Sequence, residues 1–375
     1  MMFAYSGFIP ENIAPPGAAG LRLLDKNGAE LAVSKIPQRM QYPGSGRQYS
    51  FLALSDVHIT YDTAAADFER ALQFAENNDV KFTCICGDLT DWGTTGQMSQ
   101  YKAIVDANAP TKSVYAISGN HETINAAVID SYIQQYTGKP LYYSFGIGAD
   151  GKLKENDFSH AVKKYGDTVQ DVFVMVGNYA CYDRTVKDFL PGVQFSTEEL
   201  QWLYETLEAN RGKRCIVFQH IFPWGGVGNA GGYYKSNFWR GKTEETQKQA
   251  NCFEALMKHY KNVVWFHGHS HLKFYLQEID KKANYSSADG YRSVHIPSLS
   301  VPRDIQNGAL TKIYADSEGY QVDVFSDKLV LRGRDFIDNG RDGTWLPIAT
   351  YEINTPIVAV AAGTFVDPSG IIAQN

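Results

Sequence analysis

The side chains able to do chemistry fall into five short motifs: Asp56-Val57-His58, Gly87-Asp88, Gly119-Asn120-His121-Glu122, His220 and Gly268-His269-Ser270-His271. Together they offer carboxylate, amide oxygen and imidazole groups, a donor set suited to a divalent transition metal. A single histidine is more often a hydrogen-bonded structural residue than a ligand. The conjunction reverses that weighting, because five of the nine histidines lie inside the motifs. Two imidazoles two residues apart, His269 and His271, reach two ions only from a tight loop, and Gly268 permits that backbone approach. Two cations about 3.5–4 Å apart need one bridging anion and open positions for water and substrate. Asp88 suits the bridge, since a carboxylate has lone pairs for both.

These residues need elements to bring them together. Each motif follows a short apolar run that reads as a buried strand: YSFLALSD before Asp56, VKFTCICGD before Asp88, SVYAISGNH before Asn120, RCIVFQH before His220 and NVVWFHGHSH before the last pair. Between them, FERALQFAEN, MSQYKAIVDA and ANCFEALMKHY read as helices. FSTEELQWLYETLEAN reads as another, with Ser196 and Glu199 as a capping box and Leu200, Leu203 and Leu207 as a packing stripe. YYSFG and VFVMVGNYACYD add two strands, separated by a polar insertion over 148–168. Such alternation predicts an α/β domain with its site at the carboxyl ends of the strands. After His271 the pattern turns to β: FYLQEID, RSVHIPS, and a hairpin of GYQVDVF and KLVLRGRDF around Ser326-Asp327. Residues 1–45 are rich in Pro and Gly, with one hairpin expected around Lys26-Asn27-Gly28. The expected organisation is a small β extension over 1–45, a main domain over 46–345 and a C-terminal extension over 346–375.

The net charge of −6 gives the chain as a whole no basic surface for a nucleic-acid polymer. No apolar run is long enough to span a bilayer, and the N-terminus lacks the pattern of a secretory signal. Five cysteines without metal-type spacing point to a reducing, cytoplasmic setting. Cys84 and Cys86, on one face of a strand, read as core residues rather than a redox pair.

In order and in content, the motifs resemble the signature of the calcineurin-like metallophosphoesterases, over about residues 49–345. The resemblance implies a four-layer α/β/β/α sandwich and a pair of transition-metal ions, Fe, Mn or Zn. It places Asp56, His58, Asp88 and His271 on the first ion, and Asp88, Asn120, His220 and His269 on the second. It further implies hydrolysis of phosphate esters by a hydroxide bridging the ions, with His121 protonating the leaving oxygen. Glu122 either orients His121 or caps the following helix.

Within that superfamily the motifs discriminate. Purple acid phosphatases carry a metal-binding tyrosine three residues after the bridging Asp, where this chain has Asp91. Protein Ser/Thr phosphatases carry a phosphate-clamping Arg where this chain has Trp92. Asp56-Val57-His58, GDLTD, GNHE and GHSH look most like the branch containing the class III cyclic nucleotide phosphodiesterases. The expected substrate is therefore a small phosphodiester of nucleotide or cyclic nucleotide type, with phosphomonoester hydrolysis or a catalytically idle binding module as alternatives. The Gly-rich loop IFPWGGVGNAGGYY after His220 offers Trp224 or Tyr233 for stacking, or is an ordinary surface loop. Arg303 is a further group that could meet substrate.

Overall fold

A computed structural model describes residues 20–24, 30–35, 46–60, 63–122, 128–178, 182–183, 188–189, 194–223, 225–228, 239–240, 243–274, 285–287, 289–306, 309–313, 316–337, 344–355 and 365–373. Two sheets dominate. In the six-stranded sheet the spatial order is Thr344–Asn354, Lys328–Asp335, Glu318–Val324, Tyr49–Leu54, Phe82–Cys86, Ser113–Ile117. In the seven-stranded sheet it is Tyr285–Ser286, Ser293–His295, Val263–His267, Arg214–Phe218, Asp171–Val176, Tyr142–Ile147, Leu153–Asp157. The strands that carry the motifs run parallel within each sheet. Their carboxyl ends therefore lie on one side.

Strand alternation explains the layering. Phe51, Ala53, Phe82, Cys84, Tyr115, Phe173, Phe218 and Phe266 belong to one buried cluster, formed where the two sheets face each other. Their chain neighbours Leu52, Ile85, Ala116, Val174, Val217 and Trp265 point the other way, into a cluster shared with the helices. Aromatic rings lock the inner layer: Phe51 meets Phe173 edge-on at 5.1 Å, and Tyr115 stacks on Phe145 at 3.9 Å. Such pairs contribute about 0.5–1.5 kcal/mol each beyond their buried area. Helices Ala64–Asn77, Thr95–Asn108 and Ile129–Thr137 supply the outer layer of the first sheet, and Thr197–Ala209 with Glu244–His259 that of the second. The result is the expected four-layer α/β/β/α sandwich.

Helix signals act as read, with one difference. Ser196 Oγ accepts from Glu199 N at 3.0 Å, and Leu200, Leu203 and Leu207 are buried. The Glu199 side chain is buried too, with no hydrogen bond to either carboxylate oxygen among the described residues, so the reciprocal half of the capping box is missing. Helix Ile129–Thr137, the edge strand Leu153–Asp157 inside the polar insertion, and a hairpin of Arg303–Gln306 with Ala309–Lys312 are additions that periodicity did not reveal. The boundary expected at 345/346 falls inside strand Thr344–Asn354, which pairs with Lys328–Asp335. Further on, Phe365 packs against Tyr204 and His259 of the second pair of helices. In the N-terminal part, Gly20–Leu24 pairs with Glu30–Lys35 as the hairpin reading requires, although the turn residues 26–28 lie outside the described residues. Most of FYLQEID lies outside them as well.

At the amino ends of the central strands, a buried network ties the sheets together. Asp171 accepts from Tyr49 Oη at 2.6 Å and from Arg214 Nε at 2.6 Å. The motifs lie at the opposite end. No helix among the described residues is long and apolar enough to cross a membrane.

Candidate metal centre

At the carboxyl ends the two sheets are stitched together by backbone and short side chains. Asp56 N donates to Gly87 O at 3.1 Å, and His58 N to Asp88 O at 3.0 Å, within the first sheet. Gly268 N donates to His220 O at 2.9 Å within the second. Across the gap, His269 N donates to Asp56 Oδ2 at 3.0 Å, and Ser298 Oγ to Asp56 O at 2.9 Å. The approach is so close that a Cβ on Gly268 would collide with Ser55 Oγ, and one on Gly119 with the Asp88 backbone and carboxylate.

The turns bend sharply to do this. Asp56 (φ 54°), His58 (47°), Asp88 (50°), His269 (69°) and His271 (61°) all have left-handed backbones; among the described non-glycine residues only Thr60 joins them. This conformation costs of order 1–3 kcal/mol per residue and persists only where surroundings enforce it.

All seven residues expected to hold metal are brought together. One ligating atom from each of Asp56, His58, Asp88 and His271 lies within 4.8 Å of the others, and the same holds for Asp88, His220 and His269. Asp88 Oδ2 faces both groups, 3.5 Å from His58 Nε2 and 3.0 Å from His220 Nε2. Asp56 Oδ1 stands 3.0 Å from His271 Nε2, and His58 Nε2 is 3.0 Å from the same atom. Asn120 Oδ1 completes the second group, 3.1 Å from His220 Nε2 and 2.7 Å from His269 Nδ1.

This donor set fits a pair of cations. Asp56 Oδ1 and Asp88 Oδ2 are buried and accept no well-aligned hydrogen bond among the described residues. Three of the histidines are turned by their other nitrogen. His220 Nδ1 donates to Cys86 O at 2.6 Å, His271 Nδ1 to Val301 O at 3.1 Å, and His58 Nδ1 faces Asp91 Oδ1 at 3.5 Å. Each Nε2 thereby faces the cluster, as in histidines that ligate metal. Protonation agrees at every titratable ligand but His220. Burial alone would raise the Asp56 and Asp88 carboxyls, but the neighbouring histidines outweigh it and hold both below the ordinary carboxylate range. Burial lowers His58 and His269, and brings His271 down to about 4, so these rings are neutral near pH 7. His220 goes the other way: burial lowers it, yet the charges of Asp88 and Asp56 carry it up to about 9. A cation at its Nε2 would displace that proton.

His121, part-exposed at the edge of the cluster, is held by its backbone N to Asp88 Oδ1 at 2.8 Å and by Nδ1 to Asp91 O at 2.8 Å. Asp91 Oδ1 is also 3.6 Å from that nitrogen. Glu122 is placed differently. Its carboxylate accepts from Gly119 N at 2.7 Å, Thr90 N at 2.9 Å and Thr90 Oγ1 at 3.2 Å, bracing two motif loops against each other. Burial, then the charge of Asp88, raises it to about 7.

The sequence presents Asp91 only as the residue standing where purple acid phosphatases have a tyrosine, and its spacing from Asp88 is the signal of its role. Nothing in the sequence marks the Ser270–His295 pair, Oγ to Nε2 at 2.7 Å, which braces the turn between His269 and His271. Arg303 lies beside the centre: its backbone N donates to His271 O at 2.6 Å. Across the short hairpin its partner is Lys312, whose charged neighbours are Arg303 and Asp91. Trp224 and Tyr233 lie outside the described residues.

A family described as calcineurin-like phosphoesterase matches residues 49–273. No curated protein matches the sequence. Among solved structures, a dimetal phosphatase from Danio rerio is similar at 14% identity, with 82% of this chain and 99% of that one covered and a TM-score of 0.51. A purple acid phosphatase from yellow lupin seeds is similar at 15% identity, with 95% and 61% covered and a TM-score of 0.49. The first of these likenesses speaks to the fold.

Proposed function

The chain belongs to the calcineurin-like phosphoesterase family and is a metal-dependent phosphoester hydrolase with a dinuclear divalent-metal site, and from that premise we propose that it cleaves small phosphodiesters of nucleotide or cyclic nucleotide type. One observation carries the diester reading. Trp92, 41% exposed, stands beside His121 where a clamping arginine would serve a dianionic monoester. A diester carries a single negative charge and needs apolar room for its second ester group. The similarity of GDLTD, GNHE and GHSH to the class III cyclic nucleotide phosphodiesterases supports the same substrate class.

In this reading Asp56, His58, Asp88 and His271 hold one ion, and Asp88, Asn120, His220 and His269 hold the other. Ions so placed supply positive charge to the phosphoryl oxygens and an activated water for in-line attack. The chain's own residues do the rest. Asp88 keeps the two halves in register and fixes the His121 backbone through its other oxygen. His121 donates Nδ1–H to Asp91 O, which leaves Nε2 to hand a proton to the departing oxygen. Glu122 maintains the loop geometry instead of touching the reacting atoms.

A second reading, phosphomonoester hydrolysis, has one observation in its favour. The Arg303–Lys312 pair brings two cations next to His271 and Asp91, and these would suit a dianion. Comparison of kcat/KM for bis-p-nitrophenyl phosphate and p-nitrophenyl phosphate, under one metal condition, separates the two. The diester is expected to be turned over at least as well. A tenfold preference for the monoester, about 1.4 kcal/mol in transition-state binding, would replace the diester reading with the phosphatase one.

A further inference from the structure

We propose that Trp92 is a specificity-determining residue: an aromatic platform on which an aromatic or nucleobase-bearing leaving group stacks while His121 protonates its oxygen. The proposal rests on the assignment of His121 as general acid and names what that site prefers to expel.

Exposure of one tryptophan is ordinary by itself. Here the other tryptophans with described side chains, Trp202, Trp239 and Trp265, are all buried in the core. Among the described tryptophan side chains, Trp92 alone is presented to solvent, at 41%. Its ring lies 6.3 Å from the His121 ring, tilted by 55°. A leaving group whose oxygen meets the His121 ring has the indole close by.

The backbone beneath the ring is braced on several sides. Trp92 N donates to Gln97 Oε1 at 2.9 Å, and Gln97 closes the capping box of helix Thr95–Asn108 with Thr94. Gly93 N donates to Thr90 Oγ1 at 2.8 Å, and Tyr132 Oη donates to Gly93 O at 2.7 Å. On its other side, Asp91 O receives His121 Nδ1. The turn that orients the general acid therefore also carries the indole, and little backbone ordering remains to be done on binding. An aromatic ring carried on this braced turn beside the proton donor is a stacking surface, and stacking tolerates any base because every base has a π-face.

The test uses full-length protein loaded with Mn²⁺, as wild type, Trp92→Ala and Trp92→Phe. The substrates are dibenzyl phosphate and bis(cyclohexylmethyl) phosphate, whose leaving alcohols have similar size and acidity and differ in aromaticity. Benzyl and cyclohexylmethyl phosphate monoesters are run in parallel. Trp92→Ala is expected to lower kcat/KM for the benzyl esters by about 10- to 100-fold, and for the saturated esters by several-fold less. Trp92→Phe should retain most of the benzyl activity, with metal content unchanged in both variants. Equal losses on benzyl and cyclohexylmethyl esters, or no loss on either, would overturn the proposal. So would failure of Trp92→Phe to retain the benzyl preference while its metal content is normal. Failure of the diester reading shows separately, as a monoester preference of the wild type, because the aromatic-to-saturated ratio is read within each charge class.

Discussion

At the scale of single residues, the centre is built from ligands held in costly conformations by their neighbours. Asp56, His58, Asp88, His269 and His271 adopt backbones that a side chain normally avoids, and each is pinned by a named bond or turn. Asp88 faces both halves of the centre, meeting His58 and His220 through Oδ2 and His121 N through Oδ1. Asp88→Asn should therefore weaken both ions together and drop bound metal well below two ions per chain, while Asp56→Asn should spare the ion beside His220. Metal analysis after identical reconstitution decides this; selective loss of one ion in Asp88→Asn would remove it from the bridge. His121→Ala is expected to leave metal content nearly intact and to slow turnover about 10²–10⁴-fold. The loss should be large for an alkyl leaving group and small for p-nitrophenolate, which needs little protonation. Equal losses would show that His121 positions the substrate and is not the acid.

At the scale of elements, the site is a set of strand ends, and what matters is how closely neighbouring turns can pass. Gly119 lies directly on Asp88: an added Cβ would come within 2.8 Å of Asp88 Cγ and closer still to its backbone nitrogen. Gly119→Ala should push the Asn120 turn off Asp88. Overpacking of this kind typically destabilises by about 1–3 kcal/mol. Reduced metal occupancy in a protein that still gives a native circular dichroism spectrum is the expected outcome. Gly96→Ala, with open space around it near the start of helix Thr95–Asn108, is the matched control and should be neutral or slightly stabilising. Wild-type metal binding by Gly119→Ala would mean that the turn has slack the geometry does not show.

At the scale of the whole molecule, stability and pH are linked through groups that packing has trapped. Glu199 is fully buried on helix Thr197–Ala209, far along the chain from any motif. Burial, reinforced by the charge of Asp130, raises its carboxyl well above the ordinary 4.5. The native state therefore keeps a proton that the unfolded chain releases above about pH 4.5. Its contribution is fully present below that pH and is lost as pH rises toward the native-state pKa. Glu199→Gln should melt close to wild type near pH 4.5 and increasingly above it through pH 8. Thermal melts of both proteins across that range would show a widening gap, whereas a constant gap would mean that the carboxyl is not trapped neutral.

The sequence by itself determined the motif-bearing strand runs, the helix start at Ser196 and the five motifs, while the grouping of seven of their residues into one centre came from the family resemblance. The runs, the helix start and the motifs follow from local rules: alternation with period two, apolar stripes at helical spacing, and oxygen or imidazole donors after strand ends. It also gave the pairing of Cys84 with Cys86 on one inner face, where both are buried and free. Tertiary structure alone decided what depends on two distant segments meeting. Glu122 braces Thr90 and Gly119 instead of turning His121, because Asp91, on the loop after another strand, reaches His121 first. Edge strand Leu153–Asp157 is polar and so carries no alternation to read; its place comes from hydrogen bonds to Tyr142–Ile147. The Arg303–Lys312 hairpin is similarly silent in the sequence, and lies near the centre because Arg303 N bonds His271 O. Residue type fixes what each group can do, but only the crossing of two sheets fixes which groups do it together.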